Sequence, residues 1–212
     1  MDGKLWKIGL QKFGIGCMIG IVMLLAGCVG RVKQKVNDEE SALALLQAIE
    51  GYEAQVNVVF FSNKGENAYR VHQRVKSSGE FRLEILEPEN LSGILTISDG
   101  NRIVQEDPTI EGWVEAKPTP VRDALLLYSF VEAYLQNGGE TVDGDEDTLI
   151  LTAKYPGEHR KIVSAQLRLA KGTGLPLSLV ISDENGDPSL HMTYLQFQMN
   201  PAFEEGTFQM PR

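Results

Sequence analysis

The sequence predicts a mainly β domain of the α+β class. A strongly curved, open antiparallel sheet forms a half-barrel, and helices cover its concave face. Three observations lead to this fold class. From Tyr52 onward, apolar residues alternate with a period of two, and clusters of Gly, Asn, Asp and Ser interrupt that alternation. Two segments show helical spacing instead. The apolar stripes of these helices and the apolar face of the sheet both need cover, which packing them together provides.

Two amphipathic helices are predicted, one before the sheet and one midway along it. The first covers about residues 38–50, with Asn37 as the N-cap and Glu40 three residues later in a capping-box pattern. The second begins at Thr119-Pro120, where proline suits the first helical position, and Gly138 ends it after roughly 17 residues. Each helix has apolar residues at i, i+3, i+4 spacing, so each has one face to bury.

About ten strands are predicted, and turn residues join them into a meander within one domain. Alternate residues from Tyr52 to Phe60 share one face of the first strand, and Pro88 ends the third. The predicted strands cover residues 52–61, 68–76, 81–86, 93–98, 102–105, 113–115, 148–155, 161–170, 175–182 and 190–199, followed by an irregular tail.

Residues 1–27 are predicted to be a signal peptide. Lys4, Lys7 and Lys12 give a basic start, and an apolar run of about fourteen residues ends in Leu25-Ala26-Gly27-Cys28. This run is shorter than the roughly 20 apolar residues that a transmembrane helix needs. We therefore expect cleavage after Gly27 rather than a membrane span.

The segment Leu25-Ala26-Gly27-Cys28 resembles the bacterial lipobox. That resemblance implies a diacylglyceryl group on the Cys28 thiol, with fatty-acyl chains such as palmitate, and Cys28 as the mature N-terminus. Each buried CH₂ contributes about 0.8 kcal/mol, so two chains anchor a protein stably. The expected location is the extracytoplasmic face of a membrane, with residues 28–36 as lipidated N-terminus and spacer and residues 37–212 as the folded domain.

Charge argues against two classes of partner. The chain has 20 basic and 29 acidic residues, a net charge of −9, and removal of the lysine-containing leader makes the remainder more acidic. Such a chain is a poor ligand for nucleic acid and adheres weakly to anionic lipid through charge. Of the two cysteines, Cys17 lies in the predicted leader and Cys28 is the predicted lipid site, so we expect no disulfide.

No motif in the sequence predicts catalysis, a cofactor or a metal site. His72, His159 and His191 lack partners at metal-ligand spacing, and the sequence has no nucleophile elbow, P-loop or dinucleotide fingerprint. The acidic segment Asp143–Asp147 lacks the glycine and glutamate of a calcium loop, which favours a hairpin turn. We therefore expect a protein without enzymatic activity.

Apolar side chains on the predicted strands are the remaining candidates for a binding site. In an open half-barrel, Val58, Phe60, Leu83, Ile85 and Trp113 would line a groove for a hydrophobic ligand or a partner's helix. The alternative is that aromatic residues such as these fill the core. Both alternatives stay open from the sequence, and they differ in whether the second helix plugs the concave face.

Several short motifs resemble the LolA/LolB lipoprotein-carrier superfamily. They are the strand Arg82-Leu83-Glu84, the turn Ser98-Asp99-Gly100 leading to Asp107-Pro108, and the tail Asn200-Pro201 with Phe208 and Pro211. Within that superfamily, the chain resembles the GerS family of clostridial spore germination lipoproteins. This narrower resemblance rests on Asn63-Lys64-Gly65, Tyr69, Gln73, Phe81-Arg82-Leu83-Glu84, and Ser129-Phe130 followed by Tyr134-Leu135.

The resemblance implies a function through binding. It implies a LolA-like domain, without activity of its own, that binds a cortex-modifying N-acetylmuramoyl-L-alanine amidase and is needed for spore germination. One alternative is a carrier or acceptor that holds a lipid or a lipoprotein in an apolar groove, and an anchored domain suits the acceptor better than a diffusing shuttle. A sensor of misfolded envelope proteins is a weaker alternative, since the sequence suggests no second domain that would relay a signal.

Overall fold

The computed structural model describes residues 36–210 and, for Val142 and Asp143, only the backbone. The described part contains three α-helices, a short 3₁₀-helix over Glu89–Leu91 and eleven strands. The helices are α1 (Glu39–Gln47), α2 (Pro120–Asp123) and α3 (Leu127–Gln136). The strands are β1 (Gly51–Ser62), β2 (Gly65–Lys76), β3 (Glu80–Glu87), β4 (Leu95–Asp99), β5 (Ile103–Glu106), β6 (Trp113–Ala116), β7 (Glu140–Asp143), β8 (Thr148–Lys154), β9 (Ser164–Ala170), β10 (Pro176–Ser182) and β11 (Pro188–Met199).

All eleven strands form one antiparallel sheet in the order β6-β5-β4-β3-β2-β1-β11-β10-β9-β8-β7. The chain therefore makes two meanders, and pairing of β1 with β11 joins them, from Tyr52 opposite Met199 to Phe60 opposite Leu190. The sheet does not close, because β6 and β7 remain as its two edges. The predicted fold class is confirmed: a mainly β protein with an open antiparallel sheet and few helices.

The two faces of the sheet differ in what covers them. On β1, Tyr52, Ala54, Val56 and Val58 are buried on the concave face, whereas the residues between them are only partly buried on the outer face. The buried residues join one core cluster with side chains of β2, β3, β5, β8–β11, α1 and α3. The helices therefore pack on the concave face, which is the apolar face that the period-two pattern along β1 identifies.

Helix α1 is shorter than predicted, and its cap is one residue later. Asp38, not Asn37, is the N-cap, because its carboxylate accepts a hydrogen bond from the Ser41 backbone N–H at 2.9 Å. The Ser41 hydroxyl accepts from the Asp38 N–H at 3.3 Å and completes the capping box. Ser41, at the third helical position, is therefore the second residue of the capping box, and Glu40 is not.

The second predicted helix is broken in two, which corrects the prediction of one continuous helix. Leu126, between α2 and α3, has an extended backbone with φ −94° and ψ 129°. The Leu127 N–H donates to the Tyr52 hydroxyl at 3.2 Å, and the Leu125 carbonyl accepts from the Gln73 side chain at 3.2 Å. The sheet therefore supplies hydrogen bonds that a continuous helix would have made internally.

Strand β7 was not predicted, because its four residues carry an acid at each end and give too short an alternation to detect. It forms a hairpin with β8, and Asp143–Asp147 leads into the turn, as predicted for this acidic segment. Within that turn the Asp145 carboxylate accepts from the Thr148 hydroxyl at 2.8 Å. Hydrogen bonding by Thr148 lowers the pKa of Asp145.

The C-terminal tail lies across the outer face of the first meander. The Asn200 side-chain oxygen accepts from the Glu50 N–H at 2.7 Å. The tail's Phe203 and Phe208 rings pack edge to face, and the Lys76 ammonium lies 4.8 Å from the Phe208 ring centroid. Further along the tail, Met210 packs on a small outer cluster of Leu95, Ile97 and Val104.

The predicted leader (residues 1–27), the lipid site Cys28 and the spacer up to residue 35 lie outside the described residues. Val36, the last residue of the predicted spacer, is buried and forms a β-bridge with Gly172. The folded part therefore includes Val36. Within residues 36–210, none of the helices has the length and apolar character needed to cross a membrane.

Candidate functional site

Helix α3 packs on the concave face, from Tyr52 on β1 at its start to β8 further along. It buries five side chains in the same core as the sheet: Leu127, Phe130, Val131, Ala133 and Tyr134. Helix α1 adds Ala42 and Leu46 to this core. The part of the concave face on which α1 and α3 pack is therefore not open to a ligand.

A buried polar network holds the junction between α2 and α3. The Tyr52 hydroxyl donates to the Gln73 side-chain oxygen at 3.2 Å and accepts from the Leu127 N–H. The Gln73 amide donates to the Leu125 carbonyl, and both side chains are fully buried. Burial also raises the pKa of Tyr52, so its hydroxyl stays protonated and can keep donating. The network therefore fixes the direction in which α3 leaves α2.

An apolar cavity of about 430 Å³ remains beside α2, at one end of the concave face. Its apolar wall comes from Phe60, Phe61, Val121, Ala124, Ile162 and Leu190. Lys64 and Lys161 also line it, and no carboxylate does. The Lys161 ammonium lies 2.8 Å from the buried Asp183 carboxylate, and this hydrogen bond lowers the pKa of Asp183. A cavity of this size and lining can hold a small apolar group.

The structure separates the five residues predicted to line a groove. Phe60 lines the apolar cavity, whereas Val58 is fully buried and Leu83 is buried in the common core. Ile85 lies on the same face of β3 and is half-buried. The strand register places Trp113 opposite Glu106, on the outer face, where it is 40% exposed at the sheet edge.

Most residues of the apolar cavity wall were not predicted as candidates from the sequence. Val121 and Ala124 lie in the segment that was predicted as one continuous helix, and Val121 is 40% exposed. Ile162 and Leu190 were assigned to strands without a face. Apolar residues beside turns were the only local sign of this wall. The cavity itself forms because α2 packs near segments that are distant in sequence.

A second cavity of about 500 Å³ lies on the other side of α2, between α3 and the segment 155–162. Asp123, Glu132 and Glu158 line it, and burial raises the pKa of Asp123. Across residues 36–210, no group of three or more His, Cys, Asp or Glu side chains is arranged to hold a metal ion. We assign no chemistry to this cavity.

The outer face offers a polar surface instead. On this face, Oε1 of Glu53 lies 2.7 Å from Nε2 of His72 and accepts a hydrogen bond from Nε of Arg74 at 2.9 Å. A third cavity, of about 410 Å³, lies between this face and the tail segment 202–207, and Arg82 lines it together with Arg74 and Glu53. The molecule thus has an apolar cavity at one end of its concave face and a charged cavity on its outer face.

These features define a mainly β domain with one open antiparallel sheet, and its own helices pack on the concave face of that sheet. The family model "Sporulation protein YdcC-like" matches residues 12–208, and the chain belongs to this family. The description of this family names sporulation and no catalytic activity. A search of curated protein sequences finds no match.

Solved structures resemble this chain at low sequence identity. An uncharacterized conserved protein from Thermus thermophilus matches with a TM-score of 0.51 and 17% identity over 82% of this chain and 94% of its own. A chain from the Clostridioides difficile complex of the CwlD amidase with the GerS lipoprotein matches with a TM-score of 0.50 and 22% identity, over 77% and 97%. A LolA superfamily protein from Nitrosomonas europaea matches with a TM-score of 0.45 and 10% identity, over 81% and 97%. The predicted resemblance is confirmed at the level of family and fold.

Proposed function

We propose that this protein is a membrane-anchored lipoprotein without enzymatic activity that binds a cell-wall amidase of the spore cortex. The amidase would be an N-acetylmuramoyl-L-alanine amidase, and the complex would serve cortex modification and later germination. Membership of a sporulation family supports the biological setting. The fold shared with a chain of the CwlD–GerS complex makes an amidase the first partner to test.

The observation that carries the proposal is the packing of α1 and α3 on the concave face. A carrier needs an open apolar groove, but here Phe130 and its neighbours on α3 occupy that position at full burial. Residues on the outside of the domain must then make the contacts to a partner. Such a domain is suited to binding another protein through its surface.

The edge strand β6 offers one such surface. Ile110, Trp113 and Val114 are 61%, 40% and 57% exposed, and β6 has a free edge that could receive another strand. We expect Trp113→Lys and Val114→Lys to weaken amidase binding at least about tenfold if this edge is the contact. Leu195→Lys changes an equally exposed leucine on β11 and serves as the matched control.

Recovery of partners from sporulating cells tests the proposal in its native setting. The tagged, lipidated protein is purified from membranes, and the proteins that accompany it are identified by mass spectrometry. A wall amidase should be enriched over a tagged control lipoprotein. Absence of any amidase from this fraction, with the bait intact, would argue strongly against the proposed role.

The anchor is tested separately at Cys28. We expect Cys28→Ala to move the protein from the membrane pellet to the soluble fraction, because lipid and not charge is proposed to hold it there. Circular dichroism should show an unchanged fold, since the described domain begins beyond this residue. A variant that stays in the pellet would contradict the lipoprotein assignment.

The apolar cavity favours a second candidate, binding of a lipid or of a lipoprotein's acyl chain. Native mass spectrometry of purified protein should then show an added lipid mass. Val121→Trp would obstruct the mouth of the cavity and abolish that mass, whereas Leu177→Trp, at a comparably exposed position on β10, would keep it. Protein free of lipid in both variants and wild type would exclude this candidate.

A further inference from the structure

Two arginines face each other on the outer side of the sheet. Arg74 on β2 pairs in register with Arg82 on β3, and their side chains share the face opposite the helices. Like charges directly across an antiparallel pair repel each other. An arrangement of this kind needs a nearby anion to be favourable.

The protein neutralises only one of these arginines. Arg74 Nε donates to the Glu53 carboxylate at 2.9 Å, and that same oxygen also bonds His72. Arg82 forms no ion pair within residues 36–210, and its buried Nε has no hydrogen-bond partner there. A buried guanidinium nitrogen without a partner is costly, because it has lost water and gained no acceptor.

The neighbouring acids on β3 do not supply the missing acceptor. The Glu80 carboxylate accepts from the Lys76 ammonium at 3.1 Å and from the Ser78 hydroxyl. Glu84, two residues after Arg82 on the same face, makes no ion pair with it. Arg82 therefore remains a cation without a counter-charge in the described part of the chain.

Both arginines line the cavity of about 410 Å³ that the tail segment 202–207 covers. Space is therefore available beside the unpaired guanidinium. Glu204 and Glu205 of the tail also line this cavity, and both are exposed. Neither is ion-paired with Arg74 or Arg82.

We propose that this outer cavity is a binding site for an oxyanion, either a phosphate or a carboxylate group, held by Arg82 and Arg74. The planar fork of a guanidinium matches the paired oxygens of either group and forms short, charge-assisted hydrogen bonds to them. The site lies on the face opposite the helices, away from the apolar cavity, and stands whether or not the protein binds an amidase.

Thermal unfolding of the full-length protein in nonionic detergent tests the site. Sodium phosphate and sodium acetate, each near 50 mM, are compared with sodium chloride at equal ionic strength. We expect at least one oxyanion to raise the unfolding temperature by about 2–4 °C, because a ligand that binds only the native state stabilises it. A rise with phosphate alone indicates a phosphate ester as the natural ligand, and a rise with acetate alone indicates a carboxylate.

Three variants complete the test, each compared with its own chloride baseline so that altered folding is accounted for. Arg82→Gln should abolish the rise, whereas Arg102→Gln, at an exposed arginine in the turn between β4 and β5, should keep it. The double variant Glu204→Gln, Glu205→Gln should enlarge the rise, because it removes two negative charges that repel an anion in this cavity. No oxyanion effect in wild type, or an effect that survives in Arg82→Gln, would overturn the proposal.

Discussion

The two faces of the single sheet differ in their side chains and in what packs on them. The concave face packs apolar side chains from both meanders against α1 and α3, and its few buried polar groups, such as Tyr52 and Gln73, bond each other. The outer face carries charged side chains, including Glu53 and Arg74, and a tail crosses part of it. The comparison teaches that the buried apolar core lies on the concave face, whereas we propose that the outer face and the sheet edges make the contacts to partners.

The largest expected effect comes from the centre of the concave face. Phe130→Ala should lower the free energy of unfolding by about 3–5 kcal/mol, because it removes a fully buried ring and leaves a cavity. Urea titration followed by circular dichroism measures this loss. The matched control Leu135→Ala changes a half-exposed residue of the same helix and should cost less than about 1 kcal/mol. Equal losses would mean that α3 does not pack as described.

Two buried tyrosines should differ in how much their hydroxyl groups contribute to the free energy of unfolding. Tyr52→Phe should cost about 1–3 kcal/mol, because it leaves the Leu127 N–H and a Gln73 acceptor unsatisfied. Tyr194→Phe should be neutral or stabilising, because the Tyr194 hydroxyl is buried without a partner in the described part of the chain. Urea unfolding of both variants checks this, and the reverse order of stability would contradict the assigned network.

The outer face should respond more weakly. Glu53→Gln weakens the bonds to His72 and Arg74, yet we expect a loss below about 1 kcal/mol, because partly exposed ion pairs contribute little. The loss should shrink further in 1 M salt, where exposed charges are screened. A loss as large as that of Phe130→Ala would show that charge on the outer face stabilises the fold.

The smallest predicted effect is the difference in acid stability between wild type and a variant of Asp183. The Lys161 hydrogen bond holds the pKa of Asp183 below its ordinary value, so ionised Asp183 stabilises the folded state above about pH 4. That stabilisation disappears as the pH falls through the lowered folded-state pKa. The urea midpoint of wild type should therefore drop more between pH 7 and pH 3 than that of Asp183→Asn. Asp147→Asn, at an exposed turn acid, should behave like wild type.

The fold was largely predictable because alternation and turn residues are local signals. Tyr52 to Phe60 predicted the first strand and its buried face, and the edges of most strands fall within a few residues of those predicted. The break between α2 and α3 was not predictable, because its cause is a hydrogen bond from Leu127 to Tyr52, 75 residues away. Helical spacing continues through the break, so nothing local marks it.

The candidate sites were less predictable than the fold. Phe60 lines an apolar cavity, whereas Trp113, which was expected to line the groove, lies on the outer face by its strand register. The oxyanion site depends on Arg74 lying opposite Arg82 and on the tail returning over them, neither of which a short motif encodes. The lipid site Cys28 stays a prediction from its own sequence motif.

The measurement that tests the central proposal most directly is complex formation between purified components. The protein from residue 29 onward is mixed with the N-acetylmuramoyl-L-alanine amidase of a spore-forming bacterium, each near 10 µM, and analysed by size-exclusion chromatography with light scattering. The account predicts a complex heavier than either protein, retained with Leu195→Lys and lost with Val114→Lys if β6 is the contact. Separate elution of the two proteins, together with lipid in the purified sample, would contradict it and favour the acyl-binding alternative.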